Sequence, residues 1–247
     1  MKFGIADYGL NVWDGDLYDI QTRLEELKAI GFDGTERLEA VSEADAIHKA
    51  AIYHKLGMDF TTCRGPSTQV GIEWTAALGK KYVWLTPGDS SRKTSLDDFC
   101  RRANRMIELS AKWGITAAIH NHLWTPVESQ PELEEFLTRC PDAGLIFDTG
   151  HLSAAGGNPV EIVKKYAARI VVMHLKDVIV DAEGQFERFC ELGGGNNGLD
   201  NRAVMAALQA AGYDGWIHIE HDTHLNDPLL DLAKSYRYLV QAGFRNK

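Results

Sequence analysis

The feature that most constrains the fold of this chain is a repeat of eight units, each a short β-rich run followed by an amphipathic stretch of helix length. The two kinds of run are told apart by the spacing of their apolar residues. The predicted strands are residues 2–6, 33–38, 58–63, 81–86, 115–120, 144–148, 169–175 and 216–220. The predicted helices are residues 17–30, 44–56, 69–79, 95–113, 131–139, 159–167, 201–211 and 227–242. Because strands that alternate with helices pair in parallel, the repeat predicts an α/β fold with a parallel sheet.

Eight such units in 247 residues are typical of a (β/α)8 TIM barrel, whose active site lies at the C-terminal ends of the strands. We therefore expect a single barrel domain over residues 1–247. The alternative is a doubly wound open sheet, which usually has fewer strands. In addition, the first strand–helix turn, ADYGLNVWDG, lacks the GxGxxG phosphate-binding pattern of that fold.

Charge and cysteine content narrow the class of protein. The net charge is −9, and no basic run is longer than Arg101–Arg102, so a nucleic-acid-binding surface is not expected. No apolar run approaches the roughly 18 residues of a membrane span, and the opening MKFGIADYGL does not resemble a signal peptide. The four cysteines are scattered, which favours reduced thiols. We expect a cytoplasmic protein that acts on a small polar molecule.

Polar, ionisable residues follow most of the predicted strands. The strand at 144–148 is the clearest case, because the sequence GLIFDTGH places Asp148 and His151 directly at its end. The other strand ends carry Asp7 and Tyr8; Glu36, Arg37 and Glu39; Arg64; His120, Asn121 and His122; His174, Lys176 and Asp177; and Glu220, His221 and Asp222. In a barrel these ends converge on one mouth, so the sequence predicts a ring of carboxylates and imidazoles there.

Such a ring has two explanations. Taken singly, each histidine is better explained as a hydrogen-bonded residue than as a metal ligand. The coincidence of Asp148, His174 and Glu220 on three successive strands favours a site for one divalent ion. Oxygen and nitrogen ligands without thiolate suit Mn²⁺, Mg²⁺, Co²⁺ or catalytic Zn²⁺.

Three ordered motifs, IFDTGH, VMHLKD and IHIEHD, resemble the xylose isomerase-like TIM-barrel superfamily, and the resemblance covers the whole chain. This superfamily includes sugar phosphate isomerases and epimerases, inosose dehydratases and AP endonucleases. The resemblance implies a metal held by Asp148, His174, Glu220 and a fourth ligand near strand five. The family's strand-five glutamate is replaced by His120 in AIHNHLWTPVES, so Glu128, further along the loop, is the predicted fourth ligand and His120 the alternative.

The resemblance also implies the chemistry. We expect a divalent-metal-dependent isomerase, epimerase or dehydratase that acts on a small sugar, inositol derivative or keto-acid through a metal-bound enediolate. The predicted catalytic residues are Glu220, His122, His151 and Lys176. Because His120 stands where a second glutamate would act, a lyase-like or single-base reaction is favoured over a symmetric two-glutamate epimerisation.

Substrate-binding residues are predicted at two places. Glu36 and Arg64 lie at the ends of strands two and three, and either could instead form a salt bridge at the rim. Glu191 and Asn196 lie in FCELGGGNNGLD, which resembles the family's ELGxG segment. The resemblance further suggests a homodimer or homotetramer. Two other functions stay open: an AP endonuclease-like phosphodiesterase, which the net charge disfavours, and a metal-free sugar-binding barrel.

Overall fold

The computed structural model describes residues 1–6, 19–86, 88, 91–222, 224 and 226–245. Within these ranges eight parallel strands form a nearly closed barrel. The barrel strands are β1 (Lys2–Ala6), β2 (Gly34–Glu39), β3 (Asp59–Arg64), β4 (Tyr82–Trp84), β5 (Thr116–His120), β6 (Gly144–Asp148), β7 (Ile170–Leu175) and β10 (Trp216–Glu220). After β7 the chain forms an antiparallel hairpin of β8 (Asp177–Val180) and β9 (Phe186–Cys190).

Helices alternate with these strands, and most begin at a side chain that caps their free N–H groups. They are α1 (Ile20–Ile30), α2 (Glu43–Leu56), α3 (Thr68–Ala77), α4 (Leu96–Ala111), α5 (Gln130–Arg139), α6 (Thr149–Ala154), α7 (Pro159–Tyr166), α8 (Asn201–Ala210) and α9 (Pro228–Gln241). In α5 the cap is reciprocal, because Ser129 and Glu132 each accept from the other's backbone N–H. None of the helices in the described ranges combines the length and apolar content needed to cross a bilayer.

The sheet runs in the order β3-β2-β1-β10-β7-β6-β5-β4, with parallel pairing throughout. Within the described residues β3 and β4 share no backbone ladder, and side chains join them instead. Thr62 Oγ1 donates to the carbonyl of Tyr82 at 2.7 Å, and Thr61 Oγ1 lies 2.8 Å from the Tyr82 hydroxyl. We call this β3–β4 junction the seam.

The predicted (β/α)8 barrel is confirmed, and strand boundaries agree to within two residues. Two elements were not predicted, α6 and the β8–β9 hairpin. The first has only six residues, too few to show helical periodicity, and the second lies within the connection between strand seven and its helix. Predicted rim residues Asp7 and Tyr8 lie outside the described residues, as does the start of the predicted helix 17–30.

The barrel interior is built in layers, because alternate residues of each strand point inward. Ala118, Ile146 and Val172 pack together with Tyr82 in one buried cluster. Each of the first three lies two residues before an ionisable residue at its strand end, namely His120, Asp148 and His174. The apolar layer therefore forms a floor beneath the polar strand ends.

Candidate active site

Four ionisable side chains from four adjacent strands meet at the mouth of the barrel. They are His120 from β5, Asp148 from β6, His174 from β7 and Glu220 from β10, and one ligand atom from each lies within 4.8 Å of the others. Asp148 Oδ2 is 3.4 Å from His120 Nε2, and His174 Nδ1 is 2.8 Å from Glu220 Oε2. We call these four residues the lower tier.

The DTGH sequence explains how Asp148 is fixed. Its Oδ1 accepts the backbone N–H of His151 at 2.8 Å and so caps α6, which leaves Oδ2 directed at the lower tier. The side-chain amide of Asn121 pairs with both backbone groups of Asp148 at 2.9 Å. Gly150 is required for close packing, since a Cβ there would lie 2.5 Å from Cβ of Lys176. The turn that follows Asp148 thus fixes its carboxylate through the N–H of His151.

A second set of ionisable residues lies just beyond the ends of the same four strands. His122, Lys176 and Asp222 each follow a lower-tier residue by two positions, and His151 follows Asp148 by three. Lys176 Nζ is at the centre, 2.9 Å from both His151 Nε2 and Asp222 Oδ1. We call these four residues the upper tier. Because the ammonium of Lys176 already contacts His151 and Asp222, we interpret the upper tier as an ion-pair cluster and not as a second metal site.

Lys176 also links the two tiers. Its ammonium lies 3.3 Å from Asp148 Oδ2 and 3.1 Å from Glu220 Oε2, and the side chain is fully buried. Burial alone would lower the pKa of Lys176, but the charges of Asp148, Glu220 and Asp222 raise it above its usual range. The lysine is therefore a buried permanent cation. Burial and the neighbouring Lys176 charge lower the pKa of His151, which keeps that imidazole neutral.

Glu36 lies beneath the lower tier and contacts His174. Its Oε1 is 3.1 Å from His174 Nε2 and accepts hydrogen bonds from the Tyr82 hydroxyl at 3.0 Å and from Trp84 Nε1 at 2.9 Å. Burial alone would lower the pKa of His174, but the charges of Glu36 and Glu220 raise it to about 10, so binding of a metal ion by this imidazole would displace a proton. Glu36 is fully buried, so it is placed to orient His174, and a contact with substrate hydroxyls is not supported.

The lower tier has the composition and spacing of a divalent-metal site. Two imidazoles and two carboxylates suit Mn²⁺, Co²⁺ or Zn²⁺. Two ligand atoms that each lie about 2.0–2.2 Å from one ion are at most about 4.4 Å apart. The lower-tier atoms lie within 4.8 Å of one another, so metal binding would require them to move only slightly closer together. Each lower-tier side chain is buried and held by a neighbour, which is the support that metal ligands need.

The fourth donor in this group is His120, the alternative that the sequence left open. Glu128 lies elsewhere, because its carboxylate accepts the backbone N–H of Trp124 and faces Arg92, whose Nε is 3.9 Å away. We therefore replace Glu128 by His120 in the candidate ligand set. The sequence could not separate the two, since both lie in the same strand and loop segment.

A cavity of about 450 Å³ opens onto both tiers. Its ionisable lining from the tiers is His120, His122, Glu220 and Asp222, and its aromatic lining is Trp84, Trp124, Phe186 and Phe189. Arg37, Glu187 and Arg188 complete the polar wall. Of the four predicted catalytic residues, Glu220 and His122 therefore face the cavity, whereas His151 and Lys176 are fully buried behind it.

The remaining predicted substrate residues lie apart from this cavity. Arg64 lines a neighbouring cavity of about 400 Å³ and pairs with Glu39 at 3.4 Å. Glu191 pairs with Lys234 at 3.3 Å. The side-chain amide of Asn196 accepts the backbone N–H of Val180 at 2.7 Å and donates to the Val180 carbonyl at 2.9 Å. The side chains of Glu191 and Asn196 thus stabilise the hairpin and its surroundings, which removes the basis for assigning them to substrate.

Several residues of the cavity wall were not assigned to the site from the sequence. Asp222 and Arg37 were identified only as strand-end residues, Trp84 was interpreted as a packing residue, and Arg188 was not identified. The signal for Asp222 was present, because it follows Glu220 by two positions, the spacing that places side chains on one face of an extended segment. The same spacing in IHNH and HLK predicts the other upper-tier pairs. Arg188 had no such signal, since the hairpin that carries it was not predicted.

Comparison with known proteins agrees with this architecture. Residues 24–241 match the family described as the xylose isomerase-like TIM barrel. The chain belongs to this family. The match begins within α1 and ends with α9, so it includes seven of the barrel strands and every residue of both tiers.

Among curated members, the inosose dehydratase of Clostridium botulinum (strain Alaska E43 / Type E3) is 31% identical over 153 residues, which are 56% of this chain and 51% of that protein. The rhizopine catabolism protein MocC of Rhizobium meliloti is 31% identical over 163 residues, or 59% and 50% of the two chains. The chain spans about half the length of the curated relatives it matches.

Solved structures share the fold over nearly the whole chain. The IolI protein, solved with a bound zinc atom, has a TM-score of 0.73 at 16% identity and covers 100% of both chains. The probable 3-DHS dehydratase AsbF from Bacillus anthracis has a TM-score of 0.76 at 14% identity, covering 97% of this chain and 99% of its own. At these identities the likeness establishes the fold.

Proposed function

We propose that this protein is a divalent-metal-dependent enzyme that removes a proton beside the ketone of a small polyhydroxylated substrate, with dehydration as the favoured outcome. The observation that carries the proposal is the lower tier, where two carboxylates and two imidazoles meet at the mouth of the barrel. The adjoining cavity of about 450 Å³ reaches Glu220 and His120 directly. Similarity to inosose dehydratases supports the same class of substrate.

The proposed ligands of the ion are His120, Asp148, His174 and Glu220. When bound there, a divalent ion supplies Lewis-acid polarisation of the substrate ketone. Zinc, manganese, cobalt and magnesium all belong in the first metal panel. The chain itself supplies the ligand orientation, through Glu36 under His174 and Asn121 beside Asp148.

Glu220 is the proposed base, because its carboxylate is both part of the lower tier and exposed to the cavity. It accepts the proton from the carbon next to the ketone, and the electron pair of that C–H bond forms the enediolate. In a dehydration, the hydroxyl on the next carbon then leaves with a proton donated from the cavity wall, which gives a carbon–carbon double bond and water. His122 is the proposed donor, since it lines the same cavity.

Dehydration is favoured over epimerisation by the asymmetry of the site. An epimerase needs proton-transfer groups on both faces of one carbon. Here the strand-five position holds His120, whose pKa is lowered to about 4, chiefly by burial. In the upper tier the buried ammonium of Lys176 contacts both Asp222, at 2.9 Å, and Glu220 of the lower tier, at 3.1 Å. Glu220 is therefore the one lower-tier carboxylate that lines the cavity, and His122 and Asp222 lie beside it for the leaving hydroxyl.

Metal analysis of protein purified without chelator, followed by incubation with keto-sugars and inososes in D₂O, tests this proposal. We expect one bound divalent ion per chain, deuterium at a carbon next to the ketone in recovered substrate, and an alkene product. An epimer or aldose as the sole product would redirect the proposal to the isomerase class. Absence of both metal and exchange would favour a sugar-binding barrel.

A further inference from the structure

One wall of the reaction cavity is the β8–β9 hairpin. Within the described residues its two strands pair only with each other, as a sheet separate from the barrel. A two-stranded hairpin is at best marginally stable on its own. Its strand β9 nevertheless supplies four residues of the cavity lining, namely Phe186, Glu187, Arg188 and Phe189. The position of this wall therefore depends on contacts made outside the β8–β9 ladder.

Asp177, the first residue of β8, anchors the base of the hairpin. Its side chain is buried, and its Oδ2 accepts the backbone N–H of Gly193 at 2.9 Å, while Oδ1 accepts the N–H of Val178 at 3.0 Å. Gly193 begins the segment 193–195, which we call the glycine turn. Directly after this turn, the N–H of Asn196 donates to the carbonyl of Val178 at 3.0 Å. The glycine turn is thus fastened to β8 at two points.

Asp177 also explains why the turn consists of glycines. A Cβ on Gly195 would lie 2.0 Å from Asp177 Oδ1, so a larger residue would displace the carboxylate. Gly193 has a φ of +86°, a conformation that glycine adopts without steric cost. Burial raises the pKa of Asp177, and the N–H groups of Gly193 and Val178 lower it only in part. A buried carboxylate therefore holds this turn despite its own desolvation.

We propose that Asp177 is a positioning residue, which fixes the β8–β9 hairpin through the glycine turn and so keeps the cavity wall in place beside Glu220 and His122. Asp177 does not line the cavity itself, so it acts on the substrate indirectly. Without the anchor the hairpin keeps its own ladder, but its orientation is no longer fixed and the cavity opens on that side. The effect on substrate rests on the proposed function, whereas the effect on the hairpin does not.

The first test needs no substrate. Trypsin cleavage after Arg188 in β9 requires the hairpin to open, so the cleavage rate of the native protein measures the open population. For Asp177→Ala we expect cleavage there to be about tenfold faster, because buried hydrogen bonds to a charged group are lost. Asp181→Ala is the matched control, since Asp181 accepts the N–H groups of Glu183 and Gln185 at the exposed tip of the same hairpin. Equal cleavage rates in the two variants would overturn the inference.

A second set of variants tests the route through the glycine turn. Gly195→Ala places a methyl group against Asp177 Oδ1, so it should open the hairpin as Asp177→Ala does. In the double variant the shortened side chain leaves room for that methyl group, and the combined increase in cleavage should stay far below the product of the two single increases. Multiplicative effects would refute the anchor. Because Gly195→Ala keeps the carboxylate, it also supplies the test if Asp177→Ala does not fold.

The effect on the site is measured with scyllo-inosose as the probe in metal-loaded protein. We expect Asp177→Ala to raise KM about tenfold, to change kcat less than about threefold, and to leave the metal content per chain at the wild-type value. Loss of metal, or a fall in kcat as large as the rise in KM, would show general damage to the barrel mouth and would overturn the positioning role. If the wild type does not turn over the probe, the proposed function fails, and the cleavage comparison still decides whether Asp177 anchors the hairpin.

Discussion

Replacement of Lys176 by methionine tests the electrostatic design of the site most directly. The ammonium is fully buried and lies within 3.3 Å of Asp148, Glu220 and Asp222. Methionine keeps the length and apolar stem of the side chain but removes the charge. The three carboxylates then lose the cation that they share.

The expected loss of folding stability can be estimated from measurements on buried ion pairs in other proteins. Removing one partner of such a pair costs about 3–5 kcal/mol, because the remaining charge stays desolvated. For a chain of this size, 1 kcal/mol corresponds to about 2–4 °C in melting temperature, so we expect a drop of about 6–20 °C. Lys165→Met is the matched control. Its partner Glu134 and the lysine itself are on the surface, where a pair contributes at most about 1 kcal/mol.

The assay is thermal unfolding of both variants in the presence and absence of divalent ion. A cation bound in the lower tier compensates the unpaired carboxylates, so the metal-induced rise in melting temperature should be larger in Lys176→Met than in the wild type. At a metal concentration a thousandfold above Kd, binding alone contributes about 4 kcal/mol. If Lys176→Met destabilised the protein no more than Lys165→Met, the account of Lys176 as the shared counter-ion would be wrong.

Three other predictions concern individual contacts. Glu36→Gln should weaken metal binding about 10- to 100-fold by loosening His174, measured as the metal Kd by chelator competition; an unchanged Kd would contradict the orienting role. His120→Ala should lower metal occupancy in elemental analysis, whereas Glu128→Ala should leave it unchanged, and the reverse result would restore Glu128 as ligand. Asp33→Asn should cost about 1 kcal/mol at pH 7, because Arg245 and the Phe3 N–H bind the carboxylate. Burial alone would raise the pKa of Asp33, but Arg245 lowers it overall, so this stability is present above about pH 4 and lost in more acidic solution. The variant and wild-type melting temperatures should therefore converge as the pH falls toward 3.

The alternation of predicted strands and helices was sufficient to predict the barrel, and the residues at the strand ends were sufficient to predict three of the four lower-tier residues. Asp148, His174 and Glu220 could be identified because each ends a strand whose inward face follows a period of two. The choice between His120 and Glu128 depended on the path of a loop, which periodicity does not describe. The same limit applies to Glu191 and Asn196, whose partners Lys234 and Val180 are set by tertiary packing.

The sequence also did not identify the buried residues that support the lower tier. The sequence places Glu36 near the end of strand two among other ionisable residues. Only the structure shows its carboxylate in contact with His174 and accepting hydrogen bonds from Tyr82 and Trp84. Side-chain direction at a strand end depends on the local twist and on what packs below it. Sequence patterns therefore locate the mouth of the barrel but do not separate residues that touch substrate from those that hold the residues that do.

The seam between β3 and β4 has a mechanical consequence for the site. Tyr82, whose carbonyl and hydroxyl both cross the seam, also donates to Glu36, and Glu36 in turn contacts His174. Any widening of the seam would therefore displace Glu36, the side chain that orients His174. By the same coupling, filling the lower tier with metal should tighten the seam, which amide hydrogen exchange at Phe60 and Val83 would register as increased protection.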